Sequence, residues 1–170
     1  MKQEIIDRLP PDVKKEFMKY AIKLDQKKTE NKVKSDFLSF VKHVWPEFIE
    51  GDHHKKIAEK FNRLAEGKSK RIIINMPPRH TKSEFSSFLL PAWMVGRKPN
   101  LKIIQTTHTT ELAIRFGRKA KTLIDSPEYQ QVFKTRLRED SQAAGKWETE
   151  QGGEYYAAGV GSAITGRGAD

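Results

Sequence analysis

The sequence predicts an α/β fold in which helices flank a parallel sheet, with a helical N-terminal segment in front of it. Two apolar runs typical of strands, residues 72–74 and 101–107, are each followed by a segment with helical spacing. Strands that alternate with helices along a chain favour a parallel sheet, because each helix carries the chain back to the same edge. The first 67 residues show only helical patterns.

Composition describes a polar globular chain of 170 residues with a net charge of +10. The longest apolar stretch, residues 88–95, is far shorter than the roughly 20 residues of a membrane span, so no membrane segment is predicted. The chain has no cysteine, which excludes disulfides and thiolate metal sites. The positive charge favours a polyanionic partner, most often nucleic acid, and the alternative is a soluble protein that is simply basic.

In the first half of the chain, apolar residues at helical spacing predict helices over residues 11–28, from Ser35 to about Pro46, over residues 52–66 and over residues 84–96. Ser35 is the predicted N-cap of the second of these helices. Residues 27–34 are charged and poorly patterned, and we interpret them as a linker. Pro91 predicts that the last of these helices is interrupted or bent near it. The predicted organisation is therefore a helical segment with its linker over residues 1–34, followed by one domain over residues 35–170.

The second half predicts a strand over residues 101–107 and helices over residues 110–124 and 127–137. Either Thr109 or Thr110 would cap the first of these two helices. Residues 147–160 contain strand-like pieces around Gly152 and Gly153, which predict a turn between them.

The most informative segment joins the first predicted strand to the helix after it, and it ends in Lys82 and Ser83. A phosphate-binding loop consists of Gly, four residues, Gly, Lys, and then Ser or Thr. Aligning Lys82 and Ser83 with that pattern places Met76 and Thr81 where the two glycines stand. The segment therefore lacks the glycines of the pattern, but it lies where such a loop lies, between a predicted strand and a predicted helix.

In such a loop, Lys82 would neutralise the β- and γ-phosphates of ATP, and the Ser83 hydroxyl would be a ligand of Mg²⁺. Backbone N–H groups from His80 to Ser83 would point at the phosphates, and Arg79 would add a positive charge beside them. The alternative is a proline-rich turn between strand and helix that carries surface lysine and arginine.

The loop, Pro-Pro-Arg-His-Thr-Lys-Ser over residues 77–83, resembles the deviant Walker A loop of tailed-phage terminase large subunits, the ATPase motors that package DNA into viral heads. Upstream, the resemblance includes Phe37, Phe40, Trp45, Pro46, Phe48, His53 and His54. Downstream, residues 104–108 resemble the family's second strand and its turn, and residues 156–170 resemble the stretch before the Walker B strand. The resemblance covers about residues 35–170.

This resemblance implies a P-loop NTPase-type domain that binds ATP and Mg²⁺ and acts on double-stranded DNA. It implies a homo-oligomeric ring on the capsid portal, a small-subunit partner, no membrane, and a location in the host-cell cytoplasm. Lys82, Arg79 and Arg167 are the expected catalytic residues. Arg167 is a candidate arginine finger that reaches a neighbouring subunit's nucleotide. The alternatives are that Arg167 is a surface arginine in a glycine-rich turn and that Arg79 acts as the finger within its own subunit. His54 is the expected contact on the adenine side, beside residues 79–83, and its alternative is packing near the loop.

The family's paired acidic residues, which hold Mg²⁺ and polarise the attacking water, would lie beyond Asp170. The resemblance therefore implies an incomplete ATPase domain, inactive alone, without the C-terminal nuclease domain. Two alternatives stay open: another P-loop translocase or helicase, and a non-catalytic basic module that binds nucleic acid or a packaging partner.

Overall fold

The computed structural model describes residues 10–170 and shows an α/β fold built on a four-stranded mixed sheet flanked by helices. The helices are α1 (Pro11–Ser35), α2 (Phe37–Val44), α3 (Asp52–Ala65), α4 (Leu90–Arg97), α5 (Thr110–Ile124) and α6 (Pro127–Val132), with a π-helical turn (Glu84–Leu89) directly before α4. The strands are β1 (Lys102–Thr107), β2 (Leu137–Ala143), β3 (Lys146–Thr149) and β4 (Glu154–Gly159). Within residues 10–170, none of the helices combines the length and apolar character needed to cross a membrane.

The sheet has the strand order β1-β4-β3-β2, and only β1 and β4 run parallel. Strand β3 is antiparallel to both β4 and β2, so the predicted all-parallel sheet is wrong. The reason is the tight connections, because a few residues can join only antiparallel strands. The predicted turn is confirmed, since Gly152 has φ 86° between β3 and β4. At Gly153, a Cβ would lie 2.3 Å from the Pro99 carbonyl oxygen, so no larger residue fits.

The predicted strand over residues 72–74 is also wrong, since residues 71–77 are extended but belong to no sheet in the described part of the chain. The segment nevertheless alternates as a strand does. Ile72, Ile74 and Met76 pack against the core, whereas Ile73 is 89% exposed. The apolar run therefore anchors the segment through one face, and this anchoring positions the loop that follows.

Helix α1 continues through the predicted linker over residues 27–34 and ends at Ser35. Val33 explains the continuation, because its side chain is buried in the core and its carbonyl accepts a hydrogen bond from Trp93 Nε1 at 3.1 Å. The predicted cap is displaced by one residue. Asp36, rather than Ser35, caps α2, and its Oδ2 accepts from the Ser39 N–H at 2.7 Å.

Phe37 lies at the centre of an aromatic core and is fully buried. Its ring makes edge-on contacts with Phe61 at 5.1 Å, Phe85 at 5.4 Å and Trp93 at 5.4 Å, measured between ring centroids. Edge-on pairs add about 0.5–1.5 kcal/mol beyond the burial itself. The cluster joins α2 and α3 to the π-helical turn and α4, so it fixes the start of the helix that follows the loop.

Candidate functional site

The loop between the extended segment and the π-helical turn has an unusual backbone. Arg79 has φ 64° and Thr81 has φ 58°. Residues other than glycine rarely adopt this left-handed region, and a β-branched residue does so only under constraint. Each such residue costs about 1–3 kcal/mol, and such strain clusters at functional sites. Thr81 stands where the phosphate-loop pattern has its second glycine, so the chain adopts the backbone that glycine would allow.

A buried histidine supports this strained loop. His54 Nε2 lies 2.7 Å from Thr81 Oγ1, and His54 Nδ1 accepts from the Gly51 N–H at 2.9 Å. Because Nδ1 is an acceptor, the proton of the neutral ring is on Nε2, which donates to the threonine hydroxyl. Thr81 Oγ1 in turn donates to the His80 carbonyl at 2.6 Å. We call this chain of hydrogen bonds from Gly51 to His80 the loop clamp.

The surroundings keep His54 neutral. Its side chain is only 5% exposed, and its ring packs against Phe48 and Phe85 at centroid distances of 4.8 and 5.0 Å. Burial lowers the pKa of His54, and the neighbouring His53 lowers it further. The structure thus places His54 beneath the loop, in the packing role given above as the alternative, and its contact with adenine stays a prediction.

The Lys82 ammonium donates to the Met76 carbonyl at 3.3 Å, back across the loop. In the described chain no carboxylate lies within ion-pair distance of it. The acidic residue closest in sequence, Glu84, pairs instead with Lys119, with Lys119 Nζ and Glu84 Oε2 2.6 Å apart. A half-buried ammonium bonded only to a neutral carbonyl is available to an anion at little cost.

The loop ends in unpartnered backbone donors. The first bond of the following helix runs from the Phe85 N–H to the Thr81 carbonyl at 2.9 Å. Across residues 10–170, no acceptor is found for the backbone N–H groups of Thr81, Lys82 and Ser83. Free N–H groups at the start of a helix attract anions. The helix continues as the π-helical turn, which lies just before Pro91, where the sequence predicts an irregularity.

Ser83 is exposed, and its hydroxyl has no hydrogen bond within the described chain. Among residues 10–170, no three His, Asp or Glu side chains are arranged to hold a metal ion. Mg²⁺ retains several water ligands and commonly binds through substrate phosphates. Ser83 therefore fits one ligand of a phosphate-bound Mg²⁺, but the described residues do not form a separate protein site for the ion.

The remaining predicted site residues lie on the outside of the molecule or away from the loop. Arg79 and His80 are exposed, and the His80 ring is bonded through Nδ1 to the Pro78 carbonyl at 2.8 Å. Arg167 pairs with Glu154, with Nη1 and Oε1 2.6 Å apart, and its guanidinium lies 3.7 Å from the centre of the Tyr156 ring.

Arg167 is therefore held against the first half of β4. A role as an arginine finger would require release from Glu154 and Tyr156 and a neighbouring subunit, so this role stays a prediction. At the other end of the sheet, the predicted cap is confirmed: Thr109 Oγ1 accepts from the Leu112 N–H at 3.3 Å at the start of α5.

The sequence predicts the loop but not the clamp that supports it. His54 and Thr81 are 27 residues apart, and no local pattern joins them. A threonine in a glycine position was the available signal, because it implied a backbone that needs external support.

Taken together, the loop provides free N–H groups, an unpaired ammonium and an exposed hydroxyl within five residues. This set of groups suits a phosphate-bearing ligand. In comparisons with known proteins, no protein-family profile, no curated protein and no solved structure matches the chain.

Proposed function

We propose that residues 79–83 bind the phosphates of a nucleotide and that the chain belongs to the P-loop class of nucleotide-binding proteins. The observation that carries this proposal is Thr81, which adopts φ 58° in the glycine position of the pattern and precedes the unpaired Lys82. A left-handed residue directly before a helix turns successive N–H groups toward one point, and that arrangement binds anions. A purely structural turn would have no need of this strain.

Within that class, we propose that the chain is the ATP-binding part of a terminase large subunit, which couples ATP hydrolysis to the packaging of double-stranded DNA. The support is the resemblance of residues 77–83 and of the segments on either side of them. The net charge of +10 suits a partner as acidic as DNA. The proposed partners are a ring of copies on the capsid portal and a small subunit, in the cytoplasm of the host cell.

Each loop residue has a role in this proposal. Lys82 holds the β- and γ-phosphates, Ser83 supplies one ligand for Mg²⁺, and Arg79 places a positive charge at the exposed side of the loop. The N–H groups of Thr81 and its neighbours orient the phosphates, because the loop clamp fixes their direction before the ligand arrives. Arg167 of a neighbouring copy is the proposed arginine finger.

Hydrolysis also requires a carboxylate that polarises the attacking water. The carboxylates around the loop are already paired: Glu84 with Lys119, Asp52 with Lys55, and Glu50 with Lys42 and Lys55. We therefore propose that this chain alone binds nucleotide and hydrolyses it slowly or not at all.

The test is equilibrium binding of a non-hydrolysable ATP analogue with Mg²⁺ to the wild-type chain and to Lys82→Ala. The matched control is Lys98→Ala, which removes an exposed lysine from the turn before β1. Loss of one charge-assisted contact should weaken binding by roughly tenfold or more, whereas the control should bind as the wild type does. Equal binding by Lys82→Ala, or no binding by the wild type at millimolar analogue, would overturn the proposal.

The high net charge favours one second candidate, a non-catalytic basic module that binds nucleic acid. In that case the loop is a structural turn. Binding of double-stranded DNA that weakens with salt and is unchanged in Lys82→Ala, together with no nucleotide binding, would favour this module.

A further inference from the structure

An open cavity of about 580 Å³ lies before the amino end of β1 and shares no residue with the loop. It is formed where the end of α1, the end of α4 and the segment after α6 come together. The lining residues that matter here are Lys34, Arg97, Pro99, Phe133 and Lys134. Because these residues come from separate parts of the chain, the fold rather than a local motif creates the cavity.

The cavity is positively charged and has no acidic lining residue. Lys34, Arg97 and Lys134 have no carboxylate within 4 Å in the described chain. The pKa of Glu66 is lowered mainly by Lys68, with which Glu66 is paired at 2.6 Å, and to a smaller extent by Arg97. Three cations around one cavity repel one another, so an anion placed between them would be stabilised by all three.

Arg97 is held in place before any ligand binds. Its guanidinium lies 4.7 Å from the centre of the Trp93 ring, and Trp93 is itself fixed by its hydrogen bond to the Val33 carbonyl. Arg97 Nη1 is buried and has no hydrogen-bond acceptor in the described chain. Arg97 therefore lines the cavity with a charge that no acceptor in the described chain satisfies at Nη1, and an anion in the cavity would offset that charge.

The position of Arg97 depends on Gly96. A Cβ at Gly96 would lie 2.6 Å from the Phe133 ring, so only glycine allows the end of α4 to approach this closely. That approach brings Arg97 near Lys134, which follows Phe133 directly. Tight packing of Gly96 against Phe133 therefore fixes the position of Arg97 in this cation cluster, whereas Lys134 is an exposed member of it.

We propose that this cavity is an anion-binding site for a phosphate group, separate from the nucleotide loop. Arg97 presents a planar fork suited to phosphate oxygens, and Lys34 and Lys134 act as point charges on either side. Pro99 and Phe133 form an apolar wall beside the phosphate. The phosphate group belongs either to a small phosphorylated molecule or to a nucleic-acid backbone, and the two sources share this chemistry.

The first experiment titrates inorganic phosphate into the Lys82→Ala chain, so that the loop contributes little. The readout is the set of backbone amide signals of Gly96, Arg97 and Lys134 in nuclear magnetic resonance spectra. We expect these signals to shift in a saturable way, and we expect Arg97→Gln to weaken binding by roughly tenfold. The control Lys98→Gln removes a neighbouring charge outside the cavity and should leave binding within about twofold.

A second variant guards against misfolding of Arg97→Gln. Lys134 is exposed, so Lys134→Gln should fold normally and still weaken phosphate binding by roughly threefold. Shifts that persist in both variants, or that remain absent at about 100 mM phosphate, ten times the dissociation constant of a site of about 10 mM affinity, would overturn the proposal.

The second experiment distinguishes the two sources of phosphate. Binding of a double-stranded DNA oligomer is measured over a range of salt concentrations for the wild type, Arg97→Gln and Lys98→Gln. If the nucleic-acid backbone is the source, a plot of the logarithm of the binding constant against the logarithm of the salt concentration should become less steep by about one unit in Arg97→Gln. Lys98→Gln should leave this slope unchanged. If DNA binding is unaffected while inorganic phosphate still binds through Arg97, the source is a small phosphorylated molecule.

Discussion

The loop clamp can be tested by a double-mutant cycle on His54 and Thr81. His54→Phe keeps a ring of similar shape but removes both ring nitrogens, which bond the Gly51 N–H and the Thr81 hydroxyl. Thr81→Val keeps the branched shape and removes only the hydroxyl. The two single variants and the double variant therefore isolate the bond between the side chains.

The magnitudes follow from the bonds that each change removes. His54→Phe loses two hydrogen bonds worth about 1 kcal/mol each and leaves the half-buried Gly51 N–H without its acceptor. We therefore expect the free energy of unfolding to fall by about 2–3 kcal/mol. Thr81→Val should cost about 1–2 kcal/mol, since its hydroxyl bonds both His54 and the His80 carbonyl. The double variant should cost about 1 kcal/mol less than the sum, because the shared bond is lost only once.

The assay is urea unfolding followed by circular dichroism for the four proteins. For a chain of this size, His54→Phe should also lower Tm by about 4–12 °C, at about 2–4 °C per kcal/mol. A coupling energy within about 0.3 kcal/mol of zero would refute the clamp, since independent sites add to within that range. Nucleotide affinity should fall in both single variants if the clamp prepares the loop for phosphate.

Three further predictions concern stability and are measured by urea unfolding. Burial depresses the pKa of His54 below the usual 6.5, so the unfolded chain takes up the proton first as the pH falls. The stability from this group is present above the unfolded pKa of 6.5 and is lost as the pH falls from there to the lower folded pKa, with a slope of at most about 1.4 kcal/mol per pH unit. His54→Phe should remove this contribution to the pH dependence. Gly117→Ala should lower the free energy of unfolding by about 1–3 kcal/mol, because a Cβ there would lie 2.5 Å from the Ala144 carbonyl oxygen. An unchanged midpoint of urea unfolding would contradict the close packing of α5. Phe37→Ala should lower the free energy of unfolding by about 3–5 kcal/mol, because it empties the centre of the aromatic core. A loss below about 1 kcal/mol would contradict the central place of Phe37 in that core.

Local patterns predicted the elements that depend on local interactions. Strand β1 and helices α3 and α5 lie close to their predicted positions, because their apolar spacing and caps are contained in the segments themselves. The elements that the sequence did not predict depend on distant residues. The end of α1 is stabilised through Val33, whose partner Trp93 is 60 residues away.

Strand β2 shows the same limit. Its residues follow a predicted helix over residues 127–137, but α6 ends at Val132 and the chain then becomes extended. Pairing with β3 determines the strand, and an edge strand rich in charged residues carries little signal of its own. The isoleucines at 72–74 show the reverse case, in which a strong strand pattern has no neighbouring strand in the described chain.

The sequence predicts where Lys82 and Ser83 stand relative to the helix, but not the geometry of the loop around them. The position of Lys82 and Ser83 between an extended segment and a helix follows from the motif alone. The left-handed backbone of Arg79 and Thr81 and the support from His54 required the fold, because they depend on a contact across 27 residues.

The most direct test of the phosphate loop is a nuclear magnetic resonance titration of the wild-type chain with a non-hydrolysable ATP analogue and Mg²⁺. The backbone amides of Thr81, Lys82 and Ser83 have no acceptor in the described chain, so they should show the largest shifts when phosphate oxygens bind. Lys82→Ala should weaken this response, and the amides around Arg97 should respond separately from it. Unchanged signals at Thr81, Lys82 and Ser83 under saturating nucleotide would contradict the proposed function.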